Sequence, residues 1–205
     1  MKRFPTPVTV FRPRNTSRIQ FPFFFAQGVK AAQISGVPEF ANAVSFAPER
    51  WGELSAFEPR VLVGYGLELQ RLAAMSQSGR FCLTTVNLAI FALTDCGNRP
   101  IGDALRESLW QTFGVPVYEL IVAPGCRLLA SECEAHDGWH LQEGSKAYIA
   151  GGELVCDLPP LKNLHTRLIG DIDPTPCACG RLTARLKNLS PRPPLPNESR
   201  LAAAA

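Results

Sequence analysis

The sequence predicts an α/β fold with a mainly parallel, layered sheet and helices, followed by a small antiparallel β annex. Short apolar runs typical of buried strands alternate with stretches of helical periodicity as far as about residue 122. This alternation favours parallel strands joined by helices that cover the sheet. After Cys133 the segments are short and rich in turn-forming residues, as antiparallel strands usually are. With 205 residues, 46% of them hydrophobic, the chain is long enough to bury one sizeable core.

Three apolar runs supply the predicted parallel strands, and two helices are expected between them. The runs are RVLVGY at 60–65, FCLTTVNLAIFALTD at 81–95, which holds one or two strands, and VPVYELIV at 115–122. The first helix is predicted by apolar residues at helical spacing up to Gly79: Leu67, Leu69, Leu72, Ala73 and Met75. The second is predicted by a face of Ile101, Leu105, Leu109 and Phe113, with Gly114 ending the helix. A further short helix is expected in FFFAQGVKAAQI at 23–34.

The chain divides into an arm, one domain and a tail. Residues 1–24 form a basic, proline-containing arm, which holds five Lys and Arg residues in its first twenty positions and no acidic residue. Residues 25–189 form the single α/β domain, with the annex starting at about 131. Residues 190–205, rich in proline and alanine, are expected to be disordered.

The location of the charge limits the classes of partner. The net charge of +3 is concentrated in the arm, among prolines rather than on a folded face with aromatic partners, so a solvated arm is favoured over a nucleic-acid surface. No stretch approaches 18 consecutive apolar residues, and the first residues lack the apolar core of a signal peptide. We therefore expect a cytoplasmic protein with neither a nucleic acid nor a membrane as its partner.

The seven cysteines indicate metal binding or buried thiols rather than a disulfide framework, because their number is odd and no secretory signal is expected. Cys82 and Cys156 lie in apolar runs and are expected to be core residues. Cys177 and Cys179 form a Cys-x-Cys turn that could be half of a zinc site, a redox pair or a coincidence.

The stretch SECEAHDGWHLQE at 131–143 offers the other half of such a site. Cys133 is followed by His136 and by His140, so a closed Cys₃His zinc site could form, with either histidine as the fourth ligand. The spacing leaves that choice open. Nothing in the sequence singles out the orienting group and oxyanion site that a catalytic Cys-His pair needs, so no catalytic residue is assigned. The carboxylates of ECEAHDG are expected to be solvated.

Six segments, in order, resemble the phenylacetate-CoA ligase family of adenylate-forming enzymes over roughly residues 50–187. FEPRVLVGYGLELQRLA resembles the segment before the family's central strands, and GDALRESLWQTFGVPVYE the helix and strand leading to the tyrosine of its Tyr-Gly-x-Thr-Glu motif. ECEAHDGWHL resembles its Glu-Cys…Gly-x-His element, GELVCDL its Gly-Glu-Leu-Val segment, TRLIGD its Arg-Tyr-x-Thr-Gly-Asp motif and PCACGR its Cys-x-Cys-Gly-Arg.

The resemblance implies specific site residues. Some family members hold a structural zinc on residues that correspond to Cys133, His140, Cys177 and Cys179. The resemblance therefore favours His140 over His136 as the fourth ligand. Asp171 aligns with the ribose-binding aspartate, and Tyr118 with the motif tyrosine. The family activates an aryl or acyl carboxylate with ATP and Mg²⁺ and then transfers the acyl group to CoA.

The departures from the family concern catalysis. Residues 1–60 contain no Ser/Thr-Gly-Thr-Thr-Gly phosphate loop, and Ile121 and Val122 stand where the family has Thr and Glu. The hinge and lid domain that follow in the family are not expected here. The sequence thus predicts a truncated homologue, unable to catalyse adenylation alone, that acts as a zinc-stabilised binding or accessory module. ATP, AMP and CoA are doubtful ligands; an acyl or aryl carboxylate is a possible one.

Two alternatives stay open. One is a divergent or split acid-CoA ligase that works with a partner protein supplying the missing parts. The other is a zinc-containing interaction protein without a small-molecule ligand.

Overall fold

The computed structural model describes residues 19–22, 28–34, 38–80 and 82–193. Most of the predicted arm and the tail from residue 194 lie outside the described residues. Within them, the chain builds a nine-stranded mixed sheet and a three-stranded antiparallel sheet, with the helices on one face of the larger sheet. The predicted α/β class is therefore confirmed.

The larger sheet has two halves that differ in strand direction. The parallel half comprises β1 (Ala31–Gln33), β2 (Ala43–Ser45), β3 (Val61–Tyr65), β4 (Ala89–Asp95) and β5 (Val117–Ala123). The antiparallel half adds β6 (Arg127–Glu132), β7 (Trp139–Leu141), β11 (Leu168–Asp173) and β12 (Arg185–Pro191). Among the described residues the strand order is β11-β12-β7-β6-β5-β4-β3-β1-β2, so the antiparallel strands extend the parallel sheet directly.

The smaller sheet consists of β8 (Lys146–Ala150), β9 (Glu153–Leu158) and β10 (Leu161–His165). The buried side chains of β9 pack with Ile121, Leu129 and Leu141 of the larger sheet in one apolar cluster. Cys156 is completely buried in this cluster, as predicted. The smaller sheet therefore covers the antiparallel half on the face where the helices cover the parallel half.

Helices form where the periodicity predicts them, although Leu67 of the first predicted face is 61% exposed and Ile101 precedes the second helix. The helices are α1 (Leu54–Phe57), α2 (Gly66–Gln77) and α3 (Asp103–Phe113), and a 3₁₀ turn over Pro48–Glu53 precedes α1. Leu69, Leu72 and Leu109 are completely buried against the sheet. Gly114 ends α3 with a φ of 68°, which glycine adopts without steric cost, so the predicted helix stop is confirmed. No helix of the described residues is both long and apolar enough to cross a membrane.

Two local predictions are wrong. The expected helix at 23–34 is contradicted by β1, since Ala31, Ala32 and Gln33 are buried and pair with both β2 and β3. Pairing on both sides outweighs the helix propensity of alanine; residues 23–27 lie outside the described part. Cys82 is exposed rather than in the core, because the single strand of its run begins only at Ala89.

Candidate metal centre

Four side chains from two separate stretches of the chain converge beside the antiparallel half of the sheet. Cys133 directly follows β6 and His140 lies in β7, whereas Cys177 and Cys179 lie in the connection between β11 and β12. Their ligand atoms all lie within 4.8 Å of one another. Three of the residues are buried and Cys179 is partly buried. The structure thus brings together the four residues that the resemblance implied.

The β6–β7 connection folds tightly to place the first two ligands. The amide of His136 donates to the carbonyl of Cys133 at 3.0 Å, and Gly138 has a φ of 89°. A Cβ on Gly138 would lie 2.6 Å from the carbonyl oxygen of Leu186, so this position requires glycine both for its backbone conformation and for its contact with β12. This close approach lets the connection pack on the strand next to β7.

The Cys-x-Cys segment makes a second tight turn. The amide of Gly180 donates to the carbonyl of Cys177 at 2.9 Å, and Gly180 has a φ of 82°. The backbone amide of Cys179 is the largest influence on Cys177 and lowers the pKa of its thiol to about 6. Burial, in contrast, raises the pKa of Cys133 to about 12. A bound cation would favour the thiolate of Cys133 against this cost of burial.

Two of the distances between ligand atoms lie close to those of a tetrahedral zinc shell. Zn–S bonds of about 2.3 Å and Zn–N bonds of about 2.0–2.1 Å place neighbouring ligand atoms roughly 3.5–3.8 Å apart. The sulfurs of Cys133 and Cys177 are 3.7 Å apart, and the Cys179 sulfur lies 3.3 Å from Nε2 of His140. Three sulfurs and one imidazole nitrogen are also a donor set that zinc prefers. The residues therefore fit a structural zinc ion.

His140 is oriented by its other ring nitrogen. Nδ1 lies 3.1 Å from the carbonyl oxygen of Thr183 and 3.2 Å from the hydroxyl of the same residue. Donation from Nδ1 to that carbonyl leaves the lone pair on Nε2, which is the nitrogen beside the cysteines. The residue is only 2% exposed, so the ring is held in place.

His136 lies outside the cluster. Its ring stacks on Tyr118 with 5.1 Å between the ring centroids, and its Nδ1 lies 3.9 Å from a carboxylate oxygen of Glu132. Its side chain is 44% exposed. Sequence spacing left open which histidine is the fourth ligand, and the geometry favours His140.

A buried ion-pair network next to the cluster was missed at the sequence level. The guanidinium of Arg106 donates to both carboxylate oxygens of Glu132, at 2.8 and 2.9 Å, and lies 3.3 Å from Glu119. Glu119 is completely buried, and burial raises the pKa of its carboxyl. The expectation that the ECEAHDG carboxylates are solvated is wrong for Glu132, which is 5% exposed. The sequence signal for this network was the position of Glu119 and Glu132 inside the apolar strands β5 and β6.

Comparisons of the whole sequence give no match, neither to a family model nor to a curated protein. Comparison with solved structures does give matches. A 2-hydroxyisobutyryl-CoA ligase in complex with 2-HIB-AMP and CoA aligns with a TM-score of 0.66 at 14% identity, over 86% of this chain and 48% of the ligase. A long-chain-fatty-acid-CoA ligase, FadD1 from Archaeoglobus fulgidus, aligns with a TM-score of 0.53 at 11% identity, over 88% of this chain and 47% of that one. The chain thus shares the fold of part of these CoA ligases.

This chain spans about half the length of the ligases it matches, 48% in one structure of the 2-hydroxyisobutyryl-CoA ligase. A mutant coronafacic acid ligase from Pectobacterium brasiliense shares the fold over 81% of this chain, with a TM-score of 0.52 and 9% identity. At such identities the likeness concerns the arrangement of strands and helices.

Within the ligase fold, the two residues assigned to a nucleotide lie on different strands. Tyr118 is in β5, stacked between Phe91 and His136, and burial raises the pKa of its hydroxyl. Asp171 is exposed in β11, where its carboxylate accepts a hydrogen bond from Asn188 at 2.6 Å. Strands β12, β7 and β6 lie between β11 and β5 in the sheet order. The assignment of Asp171 and Tyr118 stays a prediction.

A cavity of about 1270 Å³ adjoins the metal cluster, because His140 is one of the residues that line it. Its apolar walls include Phe21, Val29, Leu128, Leu141 and Leu182. Arg181 and Thr183, which follow the Cys-x-Cys turn, also line it. This chain thus contains a large, partly apolar space whose wall includes a residue of the metal cluster.

Proposed function

We propose that this chain is a zinc-stabilised binding or accessory module derived from the phenylacetate-CoA ligase-like family, and that it does not catalyse adenylation alone. The observation that carries the proposal is the Cys₃His cluster of Cys133, His140, Cys177 and Cys179. Four protein ligands would close a tetrahedral shell and leave no position for water or substrate, which is typical of structural rather than catalytic zinc. When bound, zinc would tie the β6–β7 connection to the β11–β12 connection.

Elemental analysis of the purified protein tests the zinc proposal. We expect about one zinc per chain. The Cys177→Ser variant should lose the metal, because the substitution removes one of its four protein ligands. His136→Ala is the matched control and should retain the metal, because this histidine stacks on Tyr118 outside the cluster. A folded wild-type protein without metal would end the proposal.

The accessory role is supported by the residues at the end of β5. Ile121 and Val122, which stand where the family has Thr and Glu, are 1% and 3% exposed, and neither side chain can coordinate Mg²⁺. The cavity beside His140 is large enough for an acyl or aryl carboxylate, the ligand class we propose for it. We also propose a cytoplasmic location, because a reducing compartment keeps the cysteines of the cluster available as metal ligands.

The second candidate is a split acid-CoA ligase completed by a partner protein, which is favoured by the likeness to a ligase structure holding 2-HIB-AMP and CoA. ATP–pyrophosphate exchange over a panel of aromatic and fatty acids separates the two. We expect no exchange by the protein alone. Exchange by the protein alone would contradict the accessory role, whereas exchange only with a partner would favour the split ligase.

Thermal shift with ATP, AMP, CoA and carboxylates completes the comparison. A shift with AMP that is lost in Asp171→Ala would support the nucleotide assignment of that residue. A shift with carboxylates only would support the accessory module. No shift with any of these compounds would favour a zinc-containing interaction protein without a small-molecule ligand.

A further inference from the structure

Arg185 in β12 is a buried cation that contacts both ligand-bearing segments of the metal cluster. It is 3% exposed. One guanidinium nitrogen, Nη1, pairs with the carboxylate of Asp137, which lies between Cys133 and His140 in the chain. The other, Nη2, donates to the carboxylate of Asp173 at 2.7 Å and to the hydroxyl of Thr175 at 3.0 Å. Thr175 lies two residues before Cys177.

The sheet register places Arg185 at this junction. Arg185 lies opposite His140 in the β7–β12 pair and opposite Asp173 in the β11–β12 pair. Lys187, two residues along the same strand, reaches Asp137 at 2.7 Å and Asp173 at 2.9 Å. Two cations of one strand thus bridge the same two carboxylates. Of these carboxylates, Asp137 belongs to the segment of Cys133 and His140, and Asp173 precedes the segment of Cys177.

We propose that Arg185 is a positioning residue for the metal cluster, holding the segment of Cys133 and His140 and the segment of Cys177 in binding register. The inference rests on the proposed zinc site. A planar guanidinium can hold two partners in fixed directions, whereas an ammonium is a single point charge. Prior alignment of the segments lowers the ordering cost that metal binding would otherwise bear. Loss of groups that orient metal ligands typically weakens metal affinity about 10–100-fold.

The test is Co²⁺ affinity by titration against a competing chelator, well below the unfolding temperature. We expect Arg185→Met to keep the thiolate-to-cobalt and tetrahedral d–d absorption bands, because the four ligands remain, while the Kd rises about 10–100-fold. Arg185→Lys should recover only part of this loss. A merely structural role would not change the affinity of a folded variant with an unchanged spectrum.

Arg192→Met is the matched control. Arg192 also pairs with a buried carboxylate, Glu153, at 3.2 Å, but Glu153 lies in β9, which contributes no ligand. Its loss should lower stability and leave the Co²⁺ Kd unchanged. An equal Kd in Arg185→Met and wild type, or an equal loss of affinity in Arg192→Met, would overturn the inference.

A second variant keeps the test decisive if Arg185→Met does not fold. Asp137 is 51% exposed, so Asp137→Asn should fold, and it should raise the Kd several-fold. An unchanged Kd in this variant would overturn the inference. Wild-type protein that binds no Co²⁺ and no Zn²⁺ would remove both the proposed function and the inference, whereas normal binding in both variants removes the inference alone.

Discussion

At the scale of single residues, Arg106 balances the charge of two buried carboxylates. Its side chain is 23% exposed, that of Glu132 is 7% exposed and that of Glu119 is inaccessible. Glu119 has further donors in the hydroxyl of Thr94 and the amide of Ile101. Without the guanidinium, at least one carboxylate would be left buried without its ion pair. Such a group is costly in a medium that solvates charge poorly.

Arg106→Met should therefore destabilise the fold by about 3–5 kcal/mol, the usual cost of removing one partner from a buried ion pair. Arg50→Ala is the control, because the Arg50–Glu53 pair is exposed at 54% and 55% and such pairs contribute at most about 1 kcal/mol. Urea unfolding at neutral pH measures both. Equal effects of the two substitutions would refute the structural role assigned to the buried network.

At this scale, the sequence predicted the structure correctly where the residue type itself limits the surroundings or backbone conformation that the residue can adopt. Cys156 and Gly114 behave as their neighbours in sequence predict. Cys82 does not, because an apolar run does not reveal where its strand begins; here the carbonyl of Cys82 accepts a hydrogen bond from the hydroxyl of Ser55. The position of Glu132 in an apolar strand signals its burial, but its partner Arg106 is 26 residues away, so no local pattern identifies the pair.

At the scale of elements, strands and helices with strong periodicity were predicted and short ones were not. Strand β3 and helices α2 and α3 form where their apolar patterns predict them, although not every predicted apolar position is buried. Strand β1 has only three residues, two of them alanines, and owes its extended form to pairing with β2 and β3. A partner on each side is a tertiary feature that local propensity does not encode.

The sheet direction shows the same limit. Turn-rich segments after Cys133 predicted antiparallel strands, which the structure contains. Strands β7 and β12 pair with each other and so place His140 opposite Arg185. This pairing depends on the order of strands in the sheet. Spacing along the chain could therefore suggest the four metal ligands only with the help of a family resemblance, and could not suggest the arginine between them.

At the scale of the whole molecule, the chain shares the architecture of about half of an acyl-CoA ligase and carries a Cys₃His cluster within it. The cluster joins segments 44 residues apart, which is the separation of Cys133 and Cys177. Bringing such distant segments together costs the unfolded chain conformational entropy, whereas the folded chain already holds the four ligand atoms within 4.8 Å of one another. Metal binding would thus add its free energy to that of folding.

The central claim is that these four residues hold zinc in a closed shell, and X-ray absorption at the zinc edge of the purified protein tests it most directly. We expect about three sulfur neighbours at about 2.3 Å and one nitrogen neighbour at about 2.0–2.1 Å per zinc. A shell of nitrogen and oxygen atoms without sulfur, or a folded protein that binds no zinc, would contradict the account.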